Sequence, residues 1–149
     1  MVNLVIYGEG SYRPQMEKKI SELKLNNQII LAGNIPNAWL KMYEAHCFVF
    51  PSRFEGFSGA LVEAMMTGIP IISSDIPMNL EAVENNKTAL IHKLKDATDL
   101  ANKMQEMISN YPSMIEMGHK ARQTAMKKFD IKNIAKQYET LLIETVHKK

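Results

Sequence analysis

Short apolar runs separated by polar segments recur along the first 95 residues of the chain. The runs at residues 4–7, 29–31, 48–50, 69–73 and 89–91 each stop at or near a glycine, a proline or polar residues. Runs of this length, bounded in this way, are typical of buried strands. The sequence therefore predicts five strands.

Apolar residues three or four positions apart predict helices between and after these strands. The helices expected between the strands lie at residues 12–23, 36–45, 60–67 and 77–83. Beyond residue 95 the pattern is helical throughout, with apolar positions marking three helices at residues 100–108, 114–121 and 131–142. Gly68 and Pro70 predict a sharp end to the helix at 60–67.

The alternation of strands and helices favours an α/β fold with a parallel sheet and helices on both faces. The predicted strands are almost continuously apolar, as in strands buried on both sides. We expect a single domain of 149 residues, with an α/β part over residues 1–95 and a helical tail over residues 96–149.

Composition excludes several classes of protein. Apolar residues make up 46% of the chain, charged residues 23%, and the formal net charge is +2. Basic pairs such as Lys18-Lys19 and Lys127-Lys128 are scattered, so nucleic acid is not an expected partner. The single cysteine, Cys47, fits a reducing compartment and is expected to be a small buried residue. The four histidines show no metal-ligand spacing.

The segment from Pro51 to Glu63 is the one candidate for chemistry. Two carboxylates, Glu55 and Glu63, are separated by seven residues that include a Gly-Phe-Ser-Gly turn, which follows a strand and begins a helix. Ligands of open α/β sheets bind beyond the carboxyl ends of strands, and free amides at a helix start attract anions. Ser58 is a favourable N-cap whose hydroxyl could cap the helix or contact phosphate.

This pattern predicts a site for a nucleotide sugar. The turn would hold a diphosphate, and the two acids would accept hydrogen bonds from sugar hydroxyls on either side. The alternative interpretation is that Glu55 and Glu63 are surface acids around a helix start, because short motifs often occur by chance.

The segments 51–57, 61–65 and 68–75 together resemble the signature of retaining group 1 (family 4) glycosyltransferases. Leu4 to Gly10 and Ile30 to Gly33 are similar to strand ends that precede that signature. The resemblance implies a GT-B fold, in which this chain would be the Rossmann-like C-terminal, donor-binding half. It also implies hexosyl transfer with retention, from a UDP- or GDP-linked donor, without a cofactor or a metal.

The resemblance gives the residues of the turn their roles. Glu55 would bind and position the donor sugar as the catalytic residue without being a nucleophile. Glu63 would hold the ribose hydroxyls. Backbone of the turn would meet the sugar and the diphosphate at Gly56, Phe57, Ser58 and Gly59.

Two further groups of residues gain roles from the resemblance alone. Backbone at Gly33, Asn34 and Ile35 would face the nucleotide base. Gly8 and Gly10 would shape the rim of the cleft.

The chain carries no counterpart of the family's acceptor-binding N-terminal domain or of its diphosphate-binding Arg and Lys. We therefore expect a fragment, inactive alone, whose glycan or lipid-linked acceptor would be bound by the missing domain. A second copy or a partner chain would cover the apolar face of the last helix at Ile134, Tyr138, Leu141 and Leu142. We expect a cytoplasmic location, or peripheral attachment at the inner membrane face.

Two other functions stay open at this point. One is a non-catalytic nucleotide-binding or assembly module, or a subunit of a split glycosyltransferase. The other is a different GT-B enzyme such as a nucleotide-sugar epimerase, which the Glu-Gly-Phe turn and the second glutamate make the weaker alternative.

Overall fold

Two compact units make up the chain in the computed structural model, which describes residues 2–147. The first unit is Met1–Lys41 and the second is Met42–Lys149. The strands fall into two parallel sheets, one of two strands and one of three. The α/β class and the parallel pairing are therefore confirmed, but the strands of the described residues do not form the single sheet that the alternation predicted.

The first unit is a β–α–β arrangement. Strand β1 (Leu4–Tyr7) pairs in parallel with β2 (Ile29–Gly33), and helix α1 (Arg13–Glu22) connects them. Burial alternates along β1, where Val5 and Tyr7 are exposed. The expectation of strands buried on both faces is therefore wrong for β1.

The second unit contains the three-stranded sheet, in the order β3 (Phe48–Phe50), β4 (Ile71–Ser74) and β5 (Leu90–His92). Both strand pairs are parallel. Helix α2 (Gly59–Thr67) connects β3 to β4, and α3 (Pro77–Ala82) connects β4 to β5. Parallel neighbours require such crossovers, and they bring the carboxyl ends of the three strands to one edge.

Three helices follow the sheet of the second unit: α4 (Ala97–Ser109), α5 (Tyr111–Lys128) and α6 (Ile131–His147). Each was expected, but α5 is far longer than its few apolar marks at 114–121 predicted. The short helix predicted over residues 36–45 is a 3-10 helix in the structure, Ala38–Glu44.

The core of the second unit lies on both faces of β4, whose four residues are all buried. Ile71 belongs to a cluster with residues of α2 and α5, including Leu61 and Ala121. Ile72 faces the other way and packs with Leu90 and with methionines of α4 and α5. Alternate residues of a strand point to opposite faces, so β4 is covered on both sides.

Methionines fill much of this core. The buried ones are Met65, Met107, Met114 and Met117. Their flexible, unbranched side chains suit irregular gaps between helices.

The apolar face of α6 is largely exposed. Tyr138, Leu141 and Leu142 are exposed, and Ile134 is half-buried. In the part of the chain that the structure describes, no helix combines the length and the hydrophobicity that crossing a bilayer would require.

A close contact between two glycines joins α2 to α5. Gly68 ends α2 in the left-handed conformation, with φ of 78°. A methyl group at Gly118 would overlap the carbonyl oxygen of Gly68 and lie 3.0 Å from the carbonyl carbon of Ile69. Since backbone atoms cannot move aside as a side-chain end can, the contact requires glycine at position 118.

Gly118→Ala should therefore destabilise the protein by about 1–3 kcal/mol through overpacking. Helix propensity alone predicts the opposite sign, since alanine is favoured over glycine in a helix by about 1 kcal/mol. Urea unfolding followed by circular dichroism measures the difference, with the exposed Ser113→Ala in the same helix as the control. A Gly118→Ala variant as stable as the control would contradict the close contact.

Candidate functional site

The loop of residues 51–58 leaves the carboxyl end of β3 and leads into α2. In the same sheet, β4 ends at Ser74 and β5 at His92. The loop therefore lies at the edge where open parallel sheets bind their ligands. This is the location that the sequence predicted for the candidate site.

Glu55 is half-buried in this loop and held by a neighbouring hydroxyl. The Ser52 Oγ lies 2.6 Å from Glu55 Oε1, to which it donates, and 3.1 Å from the carbonyl oxygen of Phe54. Within the described residues, no protein group donates a hydrogen bond to the second carboxylate oxygen of Glu55. One oxygen is thus fixed while the other can accept from a ligand.

The Gly-Phe-Ser-Gly turn presents open space on its outer side. A Cβ at Gly56 or Gly59 would meet nothing within 4 Å, so internal packing does not require glycine at either position. The Phe57 ring is 65% exposed and makes an edge contact with the Phe129 ring at a centroid distance of 6.3 Å. A ligand can approach the backbone of the turn closely.

Ser58 occupies the N-cap position of α2, but its side chain does not cap the helix. Its buried hydroxyl donates instead to Asn79 Oδ1 at 2.6 Å. The expectation that this hydroxyl caps the helix is therefore wrong, and its engagement inside the protein argues against a phosphate contact. The first amides of a helix lack partners within it, so an anion would meet the backbone there.

Glu63 is exposed on α2 and is the fifth residue of that helix. The adjacent Ala64 and Met65 are completely buried, which fixes the face on which Glu63 lies. Among the described residues no cation is recorded in an ion pair with it. Its carboxylate is available to accept hydrogen bonds from a diol.

The sequence analysis did not name three polar residues as site residues: Ser52 in the loop, Ser74 at the end of β4 and Asn79 in α3. Asn79 Nδ2 donates to Ser74 Oγ at 3.1 Å, and Ser74 Oγ donates to the carbonyl oxygen of Ser52 at 2.6 Å. The only signal in the sequence was polarity, a serine that ends an apolar strand and an asparagine in a short helix.

In the first unit, the structure brings two of the predicted rim and base residues together. The amide of Gly8 donates to the carbonyl oxygen of Gly33 at 2.9 Å, and both glycines have positive φ. Gly10 is exposed, Asn34 is exposed and Ile35 is half-buried. Their contact with a nucleotide base or a cleft rim stays a prediction.

The backbone at Gly33, with φ of 71°, favours glycine, whereas the nearest obstacle to a side chain there is the movable end of Glu9. A Cβ there would lie 2.7 Å from Glu9 Oε1, which accepts from Arg13 Nη1 at 2.5 Å. Arg13 also pairs with Glu17 and donates to the carbonyl oxygen of Leu31. A cleft of about 350 Å³ opens in this unit beside Gly8 and Gly10. Its other lining residues are Ile6, Tyr7, Glu9, Ser11, Tyr12, Arg13, Met16 and Leu31.

Two of the histidines, His46 and His92, make contacts within the protein. The His46 ring makes an edge contact with Tyr111, and the Nδ1 atom of buried His92 lies 2.9 Å from the carbonyl oxygen of Lys93. The side chain of His147 lies outside the described residues. No group of three or more His, Cys, Asp or Glu side chains suited to a metal ion occurs in the described part.

Comparison with known proteins identifies the family. The family model described as glycosyl transferases group 1 matches residues 1–124. The chain belongs to this family. Its Rossmann-like α/β fold is that of GT-B glycosyltransferases, and the resemblance of the 51–75 segment to the group 1 signature is confirmed.

The relatives include two N-acetylglucosaminyltransferases. A poly(ribitol-phosphate) α-N-acetylglucosaminyltransferase of Staphylococcus aureus (strain COL) is 26% identical over 141 residues, which are 94% of this chain and 29% of that protein. A 2-deoxystreptamine N-acetyl-D-glucosaminyltransferase of Niallia circulans is 29% identical over 111 residues, 73% of this chain and 28% of that one.

A solved structure gives the same result for the fold. A crystal structure of an S. aureus TarM mutant, in complex with fondaparinux, α-GlcNAc-glycerol and UDP, matches with a TM-score of 0.86 at 26% identity. The match covers 94% of this chain and 29% of TarM. The chain thus spans under a third of the length of each of these relatives.

Cys47 should be unreactive in the folded protein. Burial raises the pKa of its thiol from 9.0 to about 12, against a smaller opposing effect of a hydrogen bond with the Ile72 backbone. Since the thiolate is the nucleophile, alkylation by iodoacetamide at pH 8 should be about a thousandfold slower than in urea. Mass spectrometry measures both rates.

The same shift predicts a pH dependence of stability. The unfolded chain releases the thiol proton above about pH 9, while the folded chain keeps it to about pH 12. The free energy of unfolding should therefore fall as pH rises through this range. Cys47→Ala removes that contribution and serves as the control, and rapid alkylation of the native protein would refute the burial effect.

Proposed function

We propose that the chain is the donor-binding part of a retaining glycosyltransferase that transfers a hexosyl unit from a nucleotide sugar. The observation that carries this proposal is the geometry of Glu55. Its carboxylate stands at the carboxyl edge of a parallel sheet, with one oxygen fixed by Ser52 and the other able to accept. The open turn and the start of α2 lie next to it in sequence.

Each part of the donor would meet chemistry that suits it. The amides of Ala60 and Leu61 at the start of α2 would bind the diphosphate, because that end of a helix carries unpaired donors and a positive partial charge. The Gly59 amide already donates to the carbonyl oxygen of Phe57 at 2.9 Å. Glu55 would accept from a hydroxyl of the sugar. Glu63, exposed and beyond the first turn of α2, would accept from the vicinal ribose hydroxyls.

Uracil is the base that the relatives favour. UDP is present in the TarM structure, and both curated relatives transfer N-acetylglucosamine by name. We therefore propose UDP-N-acetylglucosamine or a similar UDP-hexose as the donor. The acceptor would be a glycan or a lipid-linked glycan, bound by parts of a complete enzyme that correspond to the rest of these relatives.

Retention is proposed without a covalent enzyme intermediate. The TarM structure contains α-GlcNAc-glycerol, whose α linkage is the one that retention gives from an α-linked donor. Glu55, fixed by Ser52 at one oxygen, would orient the sugar while the acceptor oxygen attacks the face that the leaving diphosphate vacates.

Glu63→Gln should weaken binding of UDP and of UDP-hexoses alike by about tenfold. The amide replaces one acceptor oxygen by a donor, and hydrogen bonds to a charged group contribute about 1.5–3 kcal/mol. Calorimetric titration of the chain with UDP, GDP and ADP measures this loss and identifies the base.

The control for this variant is Glu116→Gln, an exposed glutamate on α5. If Glu63→Gln binds each of the three nucleotides as tightly as Glu116→Gln does, the ribose role is contradicted. If the folded chain binds none of the nucleotides, the proposal of a donor site in this chain fails, and a non-catalytic assembly module becomes the better interpretation.

Glu55→Gln should act on the sugar alone. It should lower the affinity for UDP-N-acetylglucosamine about tenfold and leave that for UDP unchanged, because the carboxylate would contact only the hexose. Titrations with the two ligands separate these effects, and Glu116→Gln again is the matched control. A Glu55→Gln variant that loses both affinities equally would place Glu55 outside the sugar site.

A further inference from the structure

The loop that carries Glu55 has no regular secondary structure, yet the side chains of Ser74 and Asn79 hydrogen-bond to its two ends. Residues 51–58 contain no helix or strand. Near its start, the Ser52 carbonyl accepts from Ser74 Oγ at 2.6 Å. At its end, Ser58 Oγ donates to Asn79 Oδ1 at 2.6 Å.

Asn79 joins these two ends. Its Nδ2 donates to Ser74 Oγ at 3.1 Å and to the Ser74 carbonyl oxygen at 3.3 Å. Ser74 and Asn79 are completely buried, and Ser58 is 4% exposed. Buried polar groups without partners are costly, so each member of the network holds the others in place.

The network reaches the carboxylate through one more hydroxyl. Ser52, whose carbonyl is held by Ser74, donates its own Oγ to Glu55 Oε1 at 2.6 Å. A continuous path therefore runs from Asn79 through Ser74 and Ser52 to Glu55. Neither Ser74 nor Asn79 was a candidate site residue in the sequence analysis.

We infer that Ser74 and Asn79 are positioning residues, which hold the 51–58 loop in the conformation that presents Glu55 to the donor sugar. The expected effect on sugar binding rests on the proposed function, whereas the fixing of the loop by Ser74 and Asn79 does not. The hexose and not the nucleotide is the part of the ligand that depends on them.

The matched test compares two buried serines of the same strand. Ser73 and Ser74 are both completely buried in β4, but among the described residues the Ser73 hydroxyl donates only to the Ser74 carbonyl oxygen, at 3.4 Å, and makes no hydrogen bond to the loop. Ser74→Ala breaks the network, and Ser73→Ala removes the same atom beside it. Ser58→Ala releases the far end of the loop without altering the strand.

Two measurements on the full chain test whether the network fixes the loop and whether this affects sugar binding. Hydrogen exchange followed by mass spectrometry reports local opening of residues 53–57, which we expect to become about tenfold faster in Ser74→Ala. Calorimetry with UDP and UDP-N-acetylglucosamine gives the preference for the sugar conjugate, which should fall about tenfold, as loss of one hydrogen bond allows.

Ser73→Ala should change neither quantity, and Ser58→Ala should speed exchange in the loop as Ser74→Ala does. The inference is overturned if Ser73→Ala and Ser74→Ala give the same exchange in the loop and the same sugar preference. A merely structural effect would raise exchange throughout the protein and weaken both ligands together. If the unmodified chain binds neither ligand, the proposed function fails, while loop exchange still decides whether the network holds the loop.

Discussion

Burial of β4 on both faces is the constraint on which the second unit depends. Ile71 and Ile72 are completely buried in different clusters, so the strand cannot slip by one residue without exchanging its two faces. Its pairing with β3 and β5 on either side fixes where all three strands end. The position of Ser74, the last residue of β4, follows from this packing.

A surface loop gains its order from this fixed edge. Loops that join strands to helices are ordinarily the mobile parts of a fold. Here the buried Ser74 and Asn79 must satisfy their polar groups, and they do so on Ser52 and Ser58. The free energy of packing β4 is thereby connected to the geometry of Glu55 through hydrogen bonds.

The sequence predicted the parts of this arrangement that depend on local pattern. The strand at 48–50, the helix beginning near residue 60 and its end at Gly68 follow from apolar runs, helical spacing and a glycine cap. The Glu55–Glu63 segment was located for the same reason. The resemblance to the family also covered residues on either side of this segment, which the spacing of the two glutamates alone could not specify.

Contacts between distant residues were beyond such patterns. Ser58 meets Asn79 21 residues further along the chain, and Ser74 meets the Ser52 carbonyl across 22. A serine before a helix has a well-known local role as a cap, and only the tertiary packing shows that another partner takes its hydroxyl. The division of the strands into two sheets likewise depends on pairing, which apolar runs do not encode.

The neutral partner of Glu55 suits the role proposed for it. An arginine would take both carboxylate oxygens in a bidentate pair and neutralise the charge. The Ser52 hydroxyl fixes one oxygen and leaves the negative charge and the other oxygen for a sugar hydroxyl. Glu63 avoids a different conflict, because the fifth position of α2 lies beyond the first turn, where the helix end attracts anions most strongly. A carboxylate there can serve the ribose while the amides of Ala60 and Leu61 remain available to the diphosphate.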